Sequence, residues 1–213
     1  MKKRCDFSTF FARNWVYFVL WLLAVILVWG IVFAFLNKPK KEESISLFFS
    51  VEKADTEAMN ADFKTEKTKY LRNLEISAYS SRMEGFDTLL ATRGRDADLL
   101  ILPETYCEPS AMKALFYPMD HEMLKTVFGE EAECGKAECD GTIYGVKIYD
   151  KASNSGKAAA YFTFTYHDEG GLKSEGDYYL FFNKKSLHLG ELSGSSLDGA
   201  LSIARIIWNK ESE

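Results

Sequence analysis

Residues 45–51 read Ile-Ser-Leu-Phe-Phe-Ser-Val. The run is β-branched and aromatic, too short for a useful helix, and flanked by polar residues, so it reads as a buried first strand. Downstream, Asp55 to Tyr70 is polar, with Met59, Phe63 and Lys67 four residues apart and an Asp55-Thr56-Glu57 start that suits a helix N-terminus. Leu74 to Tyr79 (LEISAY) alternates as a strand does. Ser81 to Arg93 then carries Met83, Phe86, Leu89 and Leu90 at helical spacing, with Gly94 as a natural stop, and Asp98 to Leu102 (DLLIL) is a continuous apolar strand ended by Pro103. A strand-helix-strand-helix-strand order with apolar strands predicts an α/β fold. The expected form is a single three-layer sandwich whose mainly parallel sheet is covered on both faces.

Further along, Glu108 to Gly141 is mixed, acidic and turn-rich. Strands are expected at Tyr144 to Tyr149, Ala159 to His167 and Asp177 to Asn183. The last two flank the polar, glycine-containing stretch Asp168 to Gly176 (DEGGLKSEG), which predicts an antiparallel hairpin. In Tyr161 to Tyr166 (YFTFTY), Phe162, Phe164 and Tyr166 are assigned to the core and Tyr161, Thr163 and Thr165 to solvent. A helix running to about Trp208 closes the pattern, with Leu197, Leu201, Ala204 and Trp208 on one face and Ser195-x-x-Asp198 as its expected capping box.

Upstream, the 22 positions from Trp15 to Leu36 hold no charge, and Gly30 alone falls outside the hydrophobic set. About 20 such residues cross a bilayer core. A secretory signal peptide has a shorter apolar run and small residues at its exit. Here the exit is Phe33-Ala34-Phe35-Leu36-Asn37-Lys38, which favours an uncleaved signal anchor. Lys2, Lys3, Arg4 and Arg13 before the span, against Lys38, Lys40 and Lys41 after it, predict a cytoplasmic N-terminus and an extracytoplasmic C-terminal domain. The expected organisation is a cytoplasmic N-terminus at 1–14, a single-pass anchor in the cell membrane at 15–36, a linker at 37–44 and an α/β domain at 45–213. The linker is short, so the domain sits close to the membrane. Residues 42–213 carry 19 Lys+Arg against 30 Asp+Glu, a net charge of −11 that excludes nucleic acid as a partner.

In open α/β sheets, ligands bind beyond the carboxyl ends of the parallel strands. That rule selects three loops, containing Ser50 and Glu52, Tyr79, Ser80 and Ser81, and Glu104, Thr105 and Tyr106. Their hydroxyls, aromatic rings and carboxylates suit a small polar ligand; the alternative is that Ser80 or Ser81 caps the next helix and Glu104 is merely solvated. No Gly-x-Ser-x-Gly elbow, Walker loop or His-Glu-x-x-His occurs, and His121, His167 and His188 are far apart, so no catalytic residue, metal or cofactor is expected. Cys5 falls on the cytoplasmic side and Cys107, Cys134 and Cys139 outside. Cys134-x4-Cys139 is a candidate disulfide, which leaves Cys107 free.

Three local signatures resemble the extracellular solute-binding proteins of bacterial importers, the periplasmic binding protein type 2-like family. They are Phe86-Asp87-Thr88-Leu89-Leu90 leading into Asp96-Ala97-Asp98-Leu99-Leu100-Ile101-Leu102-Pro103-Glu104, then Asp140-Gly141-Thr142-Ile143-Tyr144-Gly145-Val146, and the terminal helix around Ala200 to Trp208. The resemblance touches about half of the soluble domain. Only about 40 residues separate Pro103 from Tyr144, so it covers one lobe of a two-lobed family. It implies a bacterial, non-catalytic domain that recognises a sugar, amino acid or peptide. The alternative is an interaction or scaffold module that docks another envelope protein through an exposed apolar patch at Met112, Leu115, Phe116 and Tyr117.

Overall fold

The computed structural model describes residues 7–65, 70–129 and 135–210, with backbone alone at 7–12 and 64–65. The chain divides after Pro39 into two units. The first is the helix α1, Phe7–Leu36, whose stretch Arg13–Leu36 is long and apolar enough to cross a membrane. Twenty-four residues rise about 36 Å, and apolar side chains face outward all round it, Trp21 being 67% exposed and Trp29 63%.

The second unit, from Lys40, contains the strands β1 (Ser44–Ser50), β2 (Lys53–Ala54), β3 (Asn73–Tyr79), β4 (Leu99–Pro103), β5 (Lys136–Cys139), β6 (Thr142–Asp150), β7 (Ser155–Gly156), β8 (Phe162–Thr163), β9 (Tyr166–Asp168), β10 (Gly171–Lys173) and β11 (Tyr178–Phe182). Its helices are α2 (Thr56–Thr65), α3 (Phe86–Thr92), α4 (Pro109–Leu115), α5 (His121–Phe128) and α6 (Gly199–Asn209). One sheet runs in the order β3-β1-β4-β11-β6-β5, with β7 paired to β6. β1 lies parallel to both β3 and β4, as the fold class requires, and the pairings from β4 through β11 and β6 to β5 are antiparallel.

Strand alternation splits the core into two layers. Ile45, Leu47 and Phe49 of β1, none of them exposed, join Met59 and Phe63 of α2, Leu124 and Phe128 of α5, and Leu201 and Ile207 of α6 on one face. Phe48 joins Phe86 of α3 and Met112 of α4 on the other, along with Leu100, Leu102 and Phe181. Helices therefore cover both faces, the expected three-layer arrangement. The crossover through α2 steps out from β1 to the edge strand β3, and the one through α3 steps back past β1 to β4. Two crossovers of the same hand that move in opposite directions must lie on opposite faces, which is where α2 and α3 are found. The strand order thus reverses at β1 and β4, the position where open α/β sheets leave a crevice.

Caps and turns mark several boundaries. The Asp55 carboxylate accepts from the Ala58 amide at 2.9 Å at the start of α2, and Asp120 accepts from the Met123 amide at 2.7 Å at the start of α5. Gly85 precedes α3 with φ 80°, a conformation that favours glycine.

Four expectations are corrected. Asp177 to Asn183 does not pair with Ala159 to His167: β11 lies between β4 and β6, wholly buried, and the hairpin is β9 with β10, while β8 pairs with β2. Five consecutive apolar residues (YYLFF) need cover on both faces, which a hairpin edge does not offer. Tyr161 is only 2% exposed, because its ring packs edge-on against Phe63 at 6.0 Å. Ser195 does not cap α6, since its hydroxyl donates to the Leu187 carbonyl at 3.3 Å and the helix begins four residues later. The segment from Glu108 holds two short helices, and the patch expected on it is not exposed: Met112 is 3% and Phe116 1% exposed, the latter stacked on Phe181 at 4.1 Å.

Candidate functional site

At the carboxyl ends of β1, β3 and β4 the loops converge with the segment leading into β11, because β11 runs antiparallel to β4 and starts where β4 ends. Tyr178 is level with Pro103, and the Glu104 amide donates to the Asp177 carbonyl at 2.8 Å.

Glu52, in the loop after β1, turns toward the loop after β3. Its Oε1 accepts from the Ser80 hydroxyl at 2.8 Å, and its Oε2 lies 4.0 Å from the Arg82 guanidinium. The Glu52 side chain keeps 17% of its exposure, whereas Arg82 keeps 46%. Ser81 donates to the Glu175 carboxylate, bridging the loop after β3 to the segment before β11. The Arg82 guanidinium lies over the Tyr166 ring, 3.7 Å from its centroid. Ser80 also accepts from the Arg82 amide at 3.2 Å, so it orders this loop but caps no helix.

Two buried hydroxyls stand behind this cluster. Ser50 Oγ has no hydrogen-bond partner among the described residues, and Tyr178 OH has none there besides the neighbouring Ser81 hydroxyl. They lie on opposite faces of the sheet, because Ser50 shares the face of Phe48 and Tyr178 the face of Leu180. Burial first, then the Glu175 and Glu52 carboxylates, holds the Tyr178 phenol well above its ordinary pKa, with Ser81 acting weakly the other way. The phenol stays neutral and keeps its proton to donate.

The remaining expected residues border the cluster. Tyr79 packs against Phe48 at 5.8 Å, and its hydroxyl accepts from Arg93. Tyr106 donates to Asp87 at 3.0 Å; burial, then that bond, pushes its pKa up to about 12, with Glu175 adding to the effect. Glu104 and Thr105 are exposed. Two clefts open beside the cluster. One, of about 410 Å³, is lined by Glu52, Tyr79, Ser80 and Arg93, and the other, of about 460 Å³, by Tyr149, Asn154, Tyr166 and Ser174.

Of the eight expected residues, Glu52, Ser80 and Ser81 form the hydrogen-bonded centre. Ser50, Tyr79 and Tyr106 stand around it, and Glu104 and Thr105 lie on the open rim. Sequence reasoning missed Arg82, Tyr166, Glu175 and Tyr178. The available signal was the Asp168 to Gly176 stretch, whose final residues had to reach the strand ends once β11 was placed beside β4. The expected Cys134–Cys139 bridge lies outside the described residues, because Cys134 does. Cys139 closes β5 as a buried thiol with no bridge among the described residues, and Cys107 is a free thiol. Burial, then Glu104, pushes the Cys107 pKa up to about 12.

Neither a protein-family model nor a curated protein matches the chain. Among solved structures it is similar to the maltose/maltodextrin-binding domain MalE from Bdellovibrio bacteriovorus bound to maltotriose, with 15% identity and a TM-score of 0.32 over 50% of this chain and 28% of that one. It is also similar to the N-glycan transport solute binding protein NgtS from Streptococcus pneumoniae in complex with Man1GlcNAc, with 15% identity and a TM-score of 0.35 over 51% of this chain and 25% of that one. The chain therefore spans less than a third of the length of either.

Proposed function

We propose that this chain is a membrane-anchored recognition protein. In this reading the helix Arg13–Leu36 is an uncleaved anchor with its N-terminus in the cytoplasm. The domain from Lys40 is an extracytoplasmic, single-lobed counterpart of the solute-binding proteins that its sequence resembles. It binds a small polar ligand at the carboxyl ends of β1, β3 and β4 and performs no chemistry on it.

One observation carries the reading. Glu52 and Glu175 are partly buried, yet among the described residues hydroxyls and a single guanidinium 4.0 Å away hold them. Partly desolvated carboxylates gain most from donors that replace lost water. A sugar supplies several hydroxyl donors, and an amino acid or peptide supplies an ammonium group. Tyr166, already faced by Arg82, gives a ring for the apolar side of such a ligand.

Thermal unfolding of the full chain in detergent, against a panel of sugars, amino acids and short peptides, tests this. A ligand at about 100 times its Kd adds roughly 2.7 kcal/mol, or about 5–10 °C in a domain of this size. The shift is expected from one compound class and should shrink in Glu52→Gln and Glu175→Gln. A flat panel on a cooperatively unfolding domain overturns the reading.

A further inference from the structure

The end of the sheet opposite the candidate site carries the other sign of charge. There the chain enters β1, level with the start of β3, since Ser44 pairs with Asn73. The start of β4 and the segment after β11 lie alongside: the Asp98 amide donates to the Ser46 carbonyl at 2.7 Å, and the Asn183 amide to the Asp98 carbonyl at 3.0 Å. Six exposed cations gather at this end, namely Lys40, Lys41, Arg72, Arg95, Lys184 and Lys185. Two of the nearby acids are committed internally. Asp98 accepts from the Ser46 amide at 2.9 Å and from the Ser186 hydroxyl at 2.6 Å, and Glu43 pairs with Arg72 at 3.5 Å. Glu42 and Asp96 are the exposed acids there. With Lys40 and Lys41 counted, this face carries six cations against four acids, Glu42, Glu43, Asp96 and Asp98, on a stretch, residues 40–213, whose net charge is −9.

A cleft of about 330 Å³ opens in the same face, lined by the cations Lys41, Arg95 and Lys185 and by the acids Asp96 and Asp98, of which Asp98 is held by Ser46 and Ser186. Leu187 also lines it and is 48% exposed. Three cations against one uncommitted carboxylate, Asp96, leave the cleft and its rim suited to phosphate oxygens, and an exposed leucine among them suits the apolar edge of a lipid interface.

We propose that this face docks on the anionic phospholipid headgroups of the membrane that holds the chain. The length of the tether selects lipid as the occupant. Four residues lie between Leu36 and Lys41, and the five steps reach at most about 18 Å, of which the headgroup layer takes up about 5–7 Å, while attraction to an anionic surface decays over about 10 Å. The tether holds Lys41, at the edge of this face, within about one screening length of a headgroup layer. Docking rests on the anchored reading of Arg13–Leu36, and it points the acidic candidate site away from the bilayer.

The test uses the full chain in nanodiscs of phosphatidylcholine alone and with phosphatidylglycerol added, scoring acetylation of Lys184 and Lys185 by mass spectrometry. Lys151, exposed at the far end, is the internal reference. Acetylation of Lys184 and Lys185 should slow several-fold on anionic discs while Lys151 does not change, and the effect should vanish in about 0.5 M salt, where screening reaches only a few Å. Arg95→Glu should weaken docking by about 5-fold or more and restore the labelling of both lysines. All these side chains are exposed, so the variant should melt like the parent. Insertion is scored separately by resistance to alkaline extraction. A chain that inserts yet labels equally on both discs overturns the docking alone. A chain that fails to insert overturns the anchored reading and the docking with it.

Discussion

Arg82 and Tyr166, 84 positions apart, are stacked with the guanidinium carbon 3.7 Å from the ring centroid. The contact ties the loop after β3 to the first residue of β9 and holds Arg82 on the Glu52 side of the cluster. A half-exposed cation–π contact contributes about 0.5–1 kcal/mol. Arg82→Ala and Tyr166→Leu should each lower Tm by about 1–4 °C, and the double variant should lose little more than either alone. Tyr166→Phe, which keeps the ring, should be neutral. Fully additive losses would show that the stacking contributes nothing.

Phe116 decides whether the segment after α4 is a docking surface or part of the core. Its ring lies 4.1 Å from that of Phe181 with 20° between their planes, and it is 1% exposed. Phe116→Ala should cost about 3–5 kcal/mol, read as a drop in the urea midpoint. A surface residue waiting for a partner would cost a small fraction of that.

Cys107 offers a chemical measure of rigidity. With its pKa raised to about 12, the thiol is protonated at neutral and mildly basic pH, and only the thiolate reacts fast. Alkylation at pH 8, followed by mass spectrometry, should be slow in the folded chain and rapid in denaturant. Rapid alkylation of the folded form would show that this corner opens readily.

Asp150 sets an acid limit. Its pKa is lowered to about 2, first by the Ser153 hydroxyl at 2.7 Å, then by the Ser153 amide at 2.9 Å and the Lys147 ammonium at 3.2 Å. An unfolded aspartate titrates near 3.9, so the folded state binds the proton later. The stability from this group is fully present above about pH 4 and is lost as pH falls through about 2. Urea midpoints between pH 5 and 2 should fall, and Asp150→Asn should flatten part of that slope. An unchanged slope would assign the acid limit to other carboxylates.

Much of the first half of the domain can be read from its sequence. The runs expected at Ile45 to Val51, Leu74 to Tyr79 and Asp98 to Leu102 appear as β1, β3 and β4 within one residue at every end. Parallel strands covered on both faces must be apolar throughout, and the helices between them must show one apolar side, so local pattern suffices. The second half hides its pairing, because Tyr178 to Phe182 would look the same beside any strand. Its partners lie far upstream: Tyr179 meets Leu102, 77 positions earlier, and Leu180 meets Val146, 34 positions earlier. The site inherited that gap. Glu52, Ser80 and Ser81 follow strands that were legible, whereas Glu175 and Tyr178 come with β11, and Arg82 and Tyr166 meet through a hairpin whose place was misjudged.

The late position of β11 shapes how the domain assembles on a ribosome. Until Tyr178 to Phe182 has emerged, β4 and β6 each present a bare row of amides and carbonyls, and the two halves of the sheet have nothing between them. One five-residue strand seals both rows at once, so the hydrogen-bonded sheet goes from two fragments to one in a single closing event. A ribosome that stalls before this point would leave a nascent chain with two sticky edges, a natural target for chaperones and proteases.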